Sequence, residues 1–105
     1  MREDRVFSAL SDRSRRRLLE TLATRESASL TELAAQLPVT RQAVSKHLAA
    51  LGEAGLVEAS RAGRETHYRL TPEPLTDALG WIEAVGARWD ERLARLRDHL
   101  ARGGR

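Results

Sequence analysis

Leu75, Leu79, Ile82, Gly86, Trp89, Leu93, Leu96 and Leu100 follow one another at spacings that alternate four and three. This is a heptad seam held over more than three repeats, and it commits the end of the chain to one long helix. The helix is expected over about 73–100, opened by Thr71-Pro72-Glu73-Pro74. Proline suits a first turn, because the N–H groups there have no acceptor within the helix. Such a helix runs for roughly 40 Å at a rise of about 1.5 Å per residue. The seventy or so residues before it make a body too small to cover so long an apolar face. A second copy of the chain buries the surplus most simply. Leu75, Leu79, Ile82, Gly86, Trp89, Leu93 and Leu96 are therefore the expected dimer interface, with the first helix beside them. Gly86 lets two helices approach closely, and Trp81 and Val85 widen the stripe at its middle. The alternative is that both tryptophans complete the core of a single chain.

Upstream, Thr40-Arg41-Gln42-Ala43-Val44-Ser45-Lys46-His47-Leu48-Ala49-Ala50-Leu51 predicts a shorter helix of different character. Thr40 is a natural cap, since its hydroxyl can accept an N–H that the first turn leaves open. Val44, Leu48 and Leu51 give one apolar face. Arg41, Gln42, Ser45 and Lys46 gather near the N-terminal end, and such side chains reach base edges and phosphates when a helix enters a major groove. Just before it, Ser29-Leu30-Thr31-Glu32 has capping-box spacing, and Leu30, Leu33, Ala34 and Leu37 continue as an amphipathic helix. Pro38-Val39 supplies a short turn between the two. Helix, tight turn and polar second helix, spanning about 29–53, is the helix-turn-helix pattern of DNA-binding proteins.

Two helices are expected ahead of this pair. Val6, Phe7 and Leu10 mark the first, and Leu18, Leu19 and Leu22 the inner face of the second, with Ser11-Asp12 as its cap. Thr24 to Ala28 reads as a polar connection. Gly55 is a suitable left-handed terminator for the reading helix. After it the apolar period changes from helical to alternating over about 56–70, with Arg61-Ala62-Gly63-Arg64 as the tip of a hairpin. Val57 and Ala59 are expected to face Thr66, Tyr68 and Leu70 on the buried side. A hairpin directly after a reading helix is a wing, which places Arg61 and Arg64 to touch the DNA backbone or a neighbouring minor groove. On their own, two arginines in a turn would be an ordinary solvated loop. The expected fold is mainly α with a small β-hairpin: a single winged helix-turn-helix domain over 1–105 with a long C-terminal dimerisation helix.

Composition narrows the function. The chain of 105 residues has no cysteine, which removes disulfides, thiolate metal ligands and thiol redox sensing together. No apolar run is long enough to span a bilayer. Met1-Arg2-Glu3-Asp4-Arg5 is charged and runs straight into an amphipathic pattern, against a signal peptide, so a cytoplasmic location is expected. The net charge is only +3. Residues 73–105 balance six arginines against six acids, so the excess lies where the DNA-reading parts are. Arginine outnumbers lysine so heavily that only Lys46 is a lysine, a bias that a GC-rich coding sequence explains as well as function does. There is no Gly-rich phosphate loop after a strand and no Ser/His/Asp set in a hydrolase pattern, so an enzyme is not expected. Arg15-Arg16-Arg17 points around different helix faces, which favours one phosphate contact and salt bridges over a single anion site.

Several of these stretches resemble the ArsR family of bacterial winged-helix transcriptional repressors. Ala9-Leu10-Ser11-Asp12-Arg13-Ser14-Arg15-Arg16-Arg17-Leu18-Leu19 is similar to the family's opening segment, and Leu30-Thr31-Glu32-Leu33-Ala34 to its third helix. Ala43-Val44-Ser45-Lys46-His47-Leu48, with Leu51 and Glu53-Ala54-Gly55-Leu56-Val57, carries the most specific likeness. Gly63-Arg64 through Tyr68-Arg69-Leu70 matches the wing. The resemblance implies a homodimer that binds a palindromic operator in double-stranded DNA near its own promoter and represses transcription. It adds His47 to the expected DNA-binding set of Thr40, Arg41, Gln42, Ser45, Lys46, Arg61 and Arg64, although a packing or helix-orienting role for His47 stands beside a phosphate contact.

The departures bear on regulation. Many family members sense metals through cysteines on the third helix, and Ser29-Leu30-Thr31-Glu32-Leu33 has none. Others hold zinc between their last helices with paired Asp/His and His/Glu ligands. Here the last helix offers Asp77, Glu83, Asp90, Glu91, Asp98 and a single histidine, His99. The closer likeness is to the branch whose final helix carries two tryptophans and a tail like Glu91-Arg92-Leu93-Ala94-Arg95-Leu96, where no metal signature is expected. No metal site and no cofactor are therefore expected, and no residue pattern points to an effector. Two rivals to the repressor reading remain: a winged-helix module that docks a protein, and a metal-responsive repressor using histidine and carboxylate ligands.

Overall fold

A computed structural model describes residues 2–103, leaving Met1 and the last two residues of the expected 1–105 span outside the described residues. The order of elements is α1 (Arg2–Leu10), α2 (Arg13–Ala23), β1 (Ala28–Ser29), α3 (Leu30–Ala34), α4 (Arg41–Glu53), β2 (Val57–Ala62), β3 (Glu65–Leu70) and α5 (Glu73–Ala101). This is the expected winged helix-turn-helix with its long last helix. Helices α2 and α3 start where their caps dictate. The Asp12 carboxylate accepts from the Arg15 N–H at 3.1 Å, and Ser29 and Glu32 form both halves of a capping box. The short helix α3, only five residues long, is below the length at which a helix holds itself. Its capping box and the fully buried Leu33 hold it instead.

One core runs through the body: Val6 and Ala9 of α1, Leu18 and Leu22 of α2, Leu33 of α3, and Val44, Leu48 and Leu51 of α4 join Leu56 and Val57. The sheet is three-stranded and antiparallel in the order β1-β3-β2. Its first strand corrects the expected polar connection, because Ala28 and Ser29 pair with Tyr68 and His67 and both are buried. The turn between α3 and α4 is also longer than Pro38-Val39. The α-helix proper stops at Ala34, and Leu37, expected on its apolar face, is buried from the turn instead.

Helix α5 packs on the body only at its start. Pro74 and Ala78 are buried, and Phe7 of α1 meets Trp81 edge to face with ring centroids 5.5 Å apart. Beyond that point the helix leaves the body, giving a molecule 70 Å long and about 25 Å across. The seam goes with it: Leu79 is 53% exposed, Trp89 56% and Leu100 62%. The tryptophans therefore do not complete the core of the single chain.

Candidate nucleic-acid interface

The cap of α4 forms as its sequence dictates, with the Thr40 hydroxyl accepting from the Ala43 N–H at 3.1 Å. Val44, Leu48 and Leu51 anchor the inner face, each at most 1% exposed. With that stripe buried, the 3.6-residue period turns Gln42, Ser45 and Lys46 outward, and all three are exposed. Arg41 is exposed as well, but its guanidinium is not idle. It donates to the Thr31 hydroxyl at 3.0 Å, tying the first turn of α4 to the first turn of α3. At the other end Gly55 takes a φ of +75°, as the left-handed terminator requires. The Leu56 N–H then reaches the Leu51 carbonyl at 2.9 Å and the Gly55 N–H the Gly52 carbonyl at 3.0 Å, the double bond of a Schellman cap. Leu56 is driven into the core by that turn, and the chain enters the hairpin.

In the hairpin, Val57 lies opposite Leu70, Ala59 opposite Tyr68 and Arg61 opposite Thr66. The strands run further than expected. Only Gly63 and Arg64 form the turn, with Gly63 at φ +69°, as a two-residue hairpin turn with glycine first requires. Arg61 therefore projects from strand β2 rather than from the tip, while Arg64 occupies the tip itself; both are exposed. Ala59 corrects another expectation. It is exposed, because past Val57 the edge strand β2 leaves the helical body and has nothing above it. Across the pair, Arg69 and Glu58 approach to 3.3 Å, an exposed ion pair of little energetic weight. His67 is half-buried, with Nε2 3.4 Å from a Glu65 carboxylate oxygen.

Seven of the expected contact residues thus lie on open surface: Thr40, Arg41, Gln42, Ser45 and Lys46 on or capping α4, and Arg61 and Arg64 on the wing. His47 is different. It sits on the flank of α4 that faces α2, where its Nδ1 accepts from Nε–H of Arg15 at 3.3 Å. Asp12 Oδ1 lies 3.9 Å from the same nitrogen. The carboxyl of Asp12 is held below its ordinary value, chiefly by the Arg15 N–H, against some desolvation and with a contribution from His47 when its ring is protonated. Sequence reasoning missed this contact, since no local spacing connects position 15 to position 47. Arg16 turns back to donate to the Leu10 carbonyl at the end of α1, at 2.6 Å, a backbone contact that the sequence does not reveal.

The most perturbed carboxyl belongs to the support of this surface. Glu32 is lowered to about 2 by the Ser29 N–H first, then by Arg25 and by the Ser29 hydroxyl. Among the described residues no group of three or more His, Asp or Glu side chains is placed to hold a metal ion. Among the same residues, no helix is long and apolar enough to cross a membrane.

Comparison with known proteins places this geometry. Residues 10–59 match a helix-turn-helix domain family. The uncharacterized HTH-type transcriptional regulator YuzN of Bacillus subtilis is 41% identical over 88 residues, covering 77% of this chain and 96% of that protein. Among solved structures, an ArsR-like transcriptional regulator from Rhodococcus sp. RHA1 superposes with a TM-score of 0.79 at 42% identity, over 92% of this chain and 91% of that one. A homodimeric winged helix-turn-helix DNA-binding domain from Mycobacterium bovis, a possible ArsR-family regulator, gives 0.65 at 28% identity over 82% and 79% of the two chains.

Proposed function

This chain belongs to the ArsR family of winged helix-turn-helix transcriptional regulators, and on that footing we propose that it acts as a homodimeric repressor on a palindromic operator, including one at its own promoter. A DNA-binding regulator needs a helix with a polar face clear of its own fold. That face of α4 carries the reading: Gln42, Ser45 and Lys46 are exposed over a buried stripe of Val44, Leu48 and Leu51.

Arg41, Gln42 and Ser45 make the base contacts. Their amide, guanidinium and hydroxyl groups can pair with the donor and acceptor patterns of a major groove. Thr40 and Lys46 hold phosphates beside them, and the N-terminus of α4 adds its unpaired N–H groups to an anion's surroundings. Arg61 and Arg64 reach the backbone or minor groove from the wing. Two chains pair through Leu75, Leu79, Ile82, Gly86, Trp89, Leu93 and Leu96. Support for that pairing comes from the exposed seam of α5 and from the homodimeric relative of similar fold. A two-fold axis then sets two copies of α4 against successive major grooves, with half-sites about one turn, roughly 34 Å, apart.

Fluorescence anisotropy on the DNA upstream of the chain's own gene, beside a scrambled duplex and across a salt series, tests the reading. Saturable binding that prefers the upstream DNA is expected. Weak and equal binding to both would reject an autoregulatory operator and favour a protein partner for the same fold.

A further inference from the structure

The flank of α4 away from its exposed polar face is held to α2 by a polar contact. The Arg15 Nε–H donates to Nδ1 of His47 at 3.3 Å. The His47 side chain is only 19% exposed, and Asp12 Oδ1 waits 3.9 Å from that same nitrogen. A guanidinium has donors and no acceptor, so Nδ1 carries no proton in this arrangement and the proton of the neutral ring lies on Nε2. We propose that His47 is a positioning residue, and that Asp12, Arg15 and His47 form a proton-sensitive brace that fixes the recognition helix against α2.

With the ring neutral, the bond from Arg15 ties the flank of α4 to α2 beside the apolar anchor of Val44, Leu48 and Leu51. Histidine is the side chain whose ordinary titration falls between about pH 5 and 8. A proton arriving at Nδ1 turns the acceptor into a donor and sets two cations against each other. The Arg15 bond is then lost, and the ring is drawn to the Asp12 carboxylate. Asp12 is ionised to receive it, since the Arg15 N–H keeps its carboxyl below the ordinary range. The other charged groups around the cluster are Asp4 and Arg5 of α1 and Glu53 of α4, which line a cleft with Arg15, and Lys46, next to His47 in α4. Acid thus has two opposed effects on DNA binding. An added positive charge on α4 favours any duplex, whereas a helix freed from its brace loses base contacts. Selectivity falls even where raw affinity does not.

This inference rests on α4 being the DNA-reading helix, and the test separates the two. Anisotropy gives the ratio of operator to scrambled-duplex affinity at about pH 7.5 and about pH 5.5, spanning the histidine range. For the wild type the ratio is expected to fall about three- to tenfold on acidification, the scale of one net hydrogen bond. His47→Asn keeps an acceptor near the place of Nδ1 without titrating, so its ratio is expected to stay high at both pH values. Arg15→Met keeps the aliphatic stem but removes the donor, and its ratio is expected to be low at both. If His47→Asn shares the wild-type fall in full, the pH response does not pass through His47 and the brace is overturned. Nitrogen-15 spectroscopy of the DNA-free protein reads the ring directly. At about pH 7.5, above the ordinary histidine range, a neutral His47 with its proton on Nε2 supports the brace even if no DNA is bound selectively, and a neutral ring with its proton on Nδ1 overturns it whatever DNA binding shows.

Discussion

Glu32 shows how one side chain can hold up a surface it does not touch. Its carboxylate accepts from the Ser29 N–H at 2.9 Å and pairs with Arg25, and these contacts bring it down from 4.5 to about 2. A carboxyl depressed in the folded state favours folding at pH above its ordinary value, and that support is lost as pH falls toward the folded value. Glu32→Gln should therefore lower the urea midpoint at neutral pH, and the gap to wild type should narrow between about pH 4.5 and 2. A gap of constant width across that range would contradict the assignment. On the exposed face, Gln42→Ala should weaken operator binding by about 1–3 kcal/mol more than it weakens random DNA, if its amide reads a base. Arg64→Ala should weaken all duplexes alike and reduce the slope of affinity against salt by about one. Equal losses on both DNAs for Gln42→Ala, or an unchanged salt slope for Arg64→Ala, would remove the role proposed for that residue.

Elements here begin and end at local signals, which is why most of them were legible in the chain. Ser29 with Glu32, Thr40 and Gly55 each act within a few residues of their own position, and each does what its spacing implies. Gly55→Ala should destabilise the protein by about 1–2 kcal/mol, because an L side chain is strained at φ +75°. The expected mark is a lower thermal midpoint with the wild-type fold. Space is not the obstacle, since an added Cβ would stand 3.5 Å from Pro74. A midpoint equal to wild type would show that the cap tolerates another conformation. What escaped the sequence was decided at long range. Strand β1 is two residues with no period of its own, and it exists because Tyr68 and His67 lie beside it. Ala59 alternates correctly yet has no helix over it, and Arg61 lies on the strand because pairing continues to Ala62 and Glu65. The Arg15–His47 contact that sets His47 apart from the other expected DNA contacts joins two helices far apart in the chain.

At the scale of the whole molecule, a small body carries a helix of 29 residues, and much of that helix's apolar seam is bare. The period alone was enough to predict both the length of α5 and its surplus, since a body of this size cannot wrap a seam that long. Trp89→Glu should leave the core intact, because Trp89 is 56% exposed in the single chain, and should shift the protein toward monomer in sedimentation equilibrium. A variant that remains dimeric would place the contact elsewhere. Pairing and DNA reading meet in the symmetry of the operator, because a two-fold dimer must read its site twice in opposite directions. In vitro selection from random duplexes with the purified protein measures that symmetry directly. The predicted result is an inverted repeat whose half-site centres lie about 10 base pairs, or one turn, apart. Enrichment of a single unrepeated site, or of no sequence at all, would contradict it.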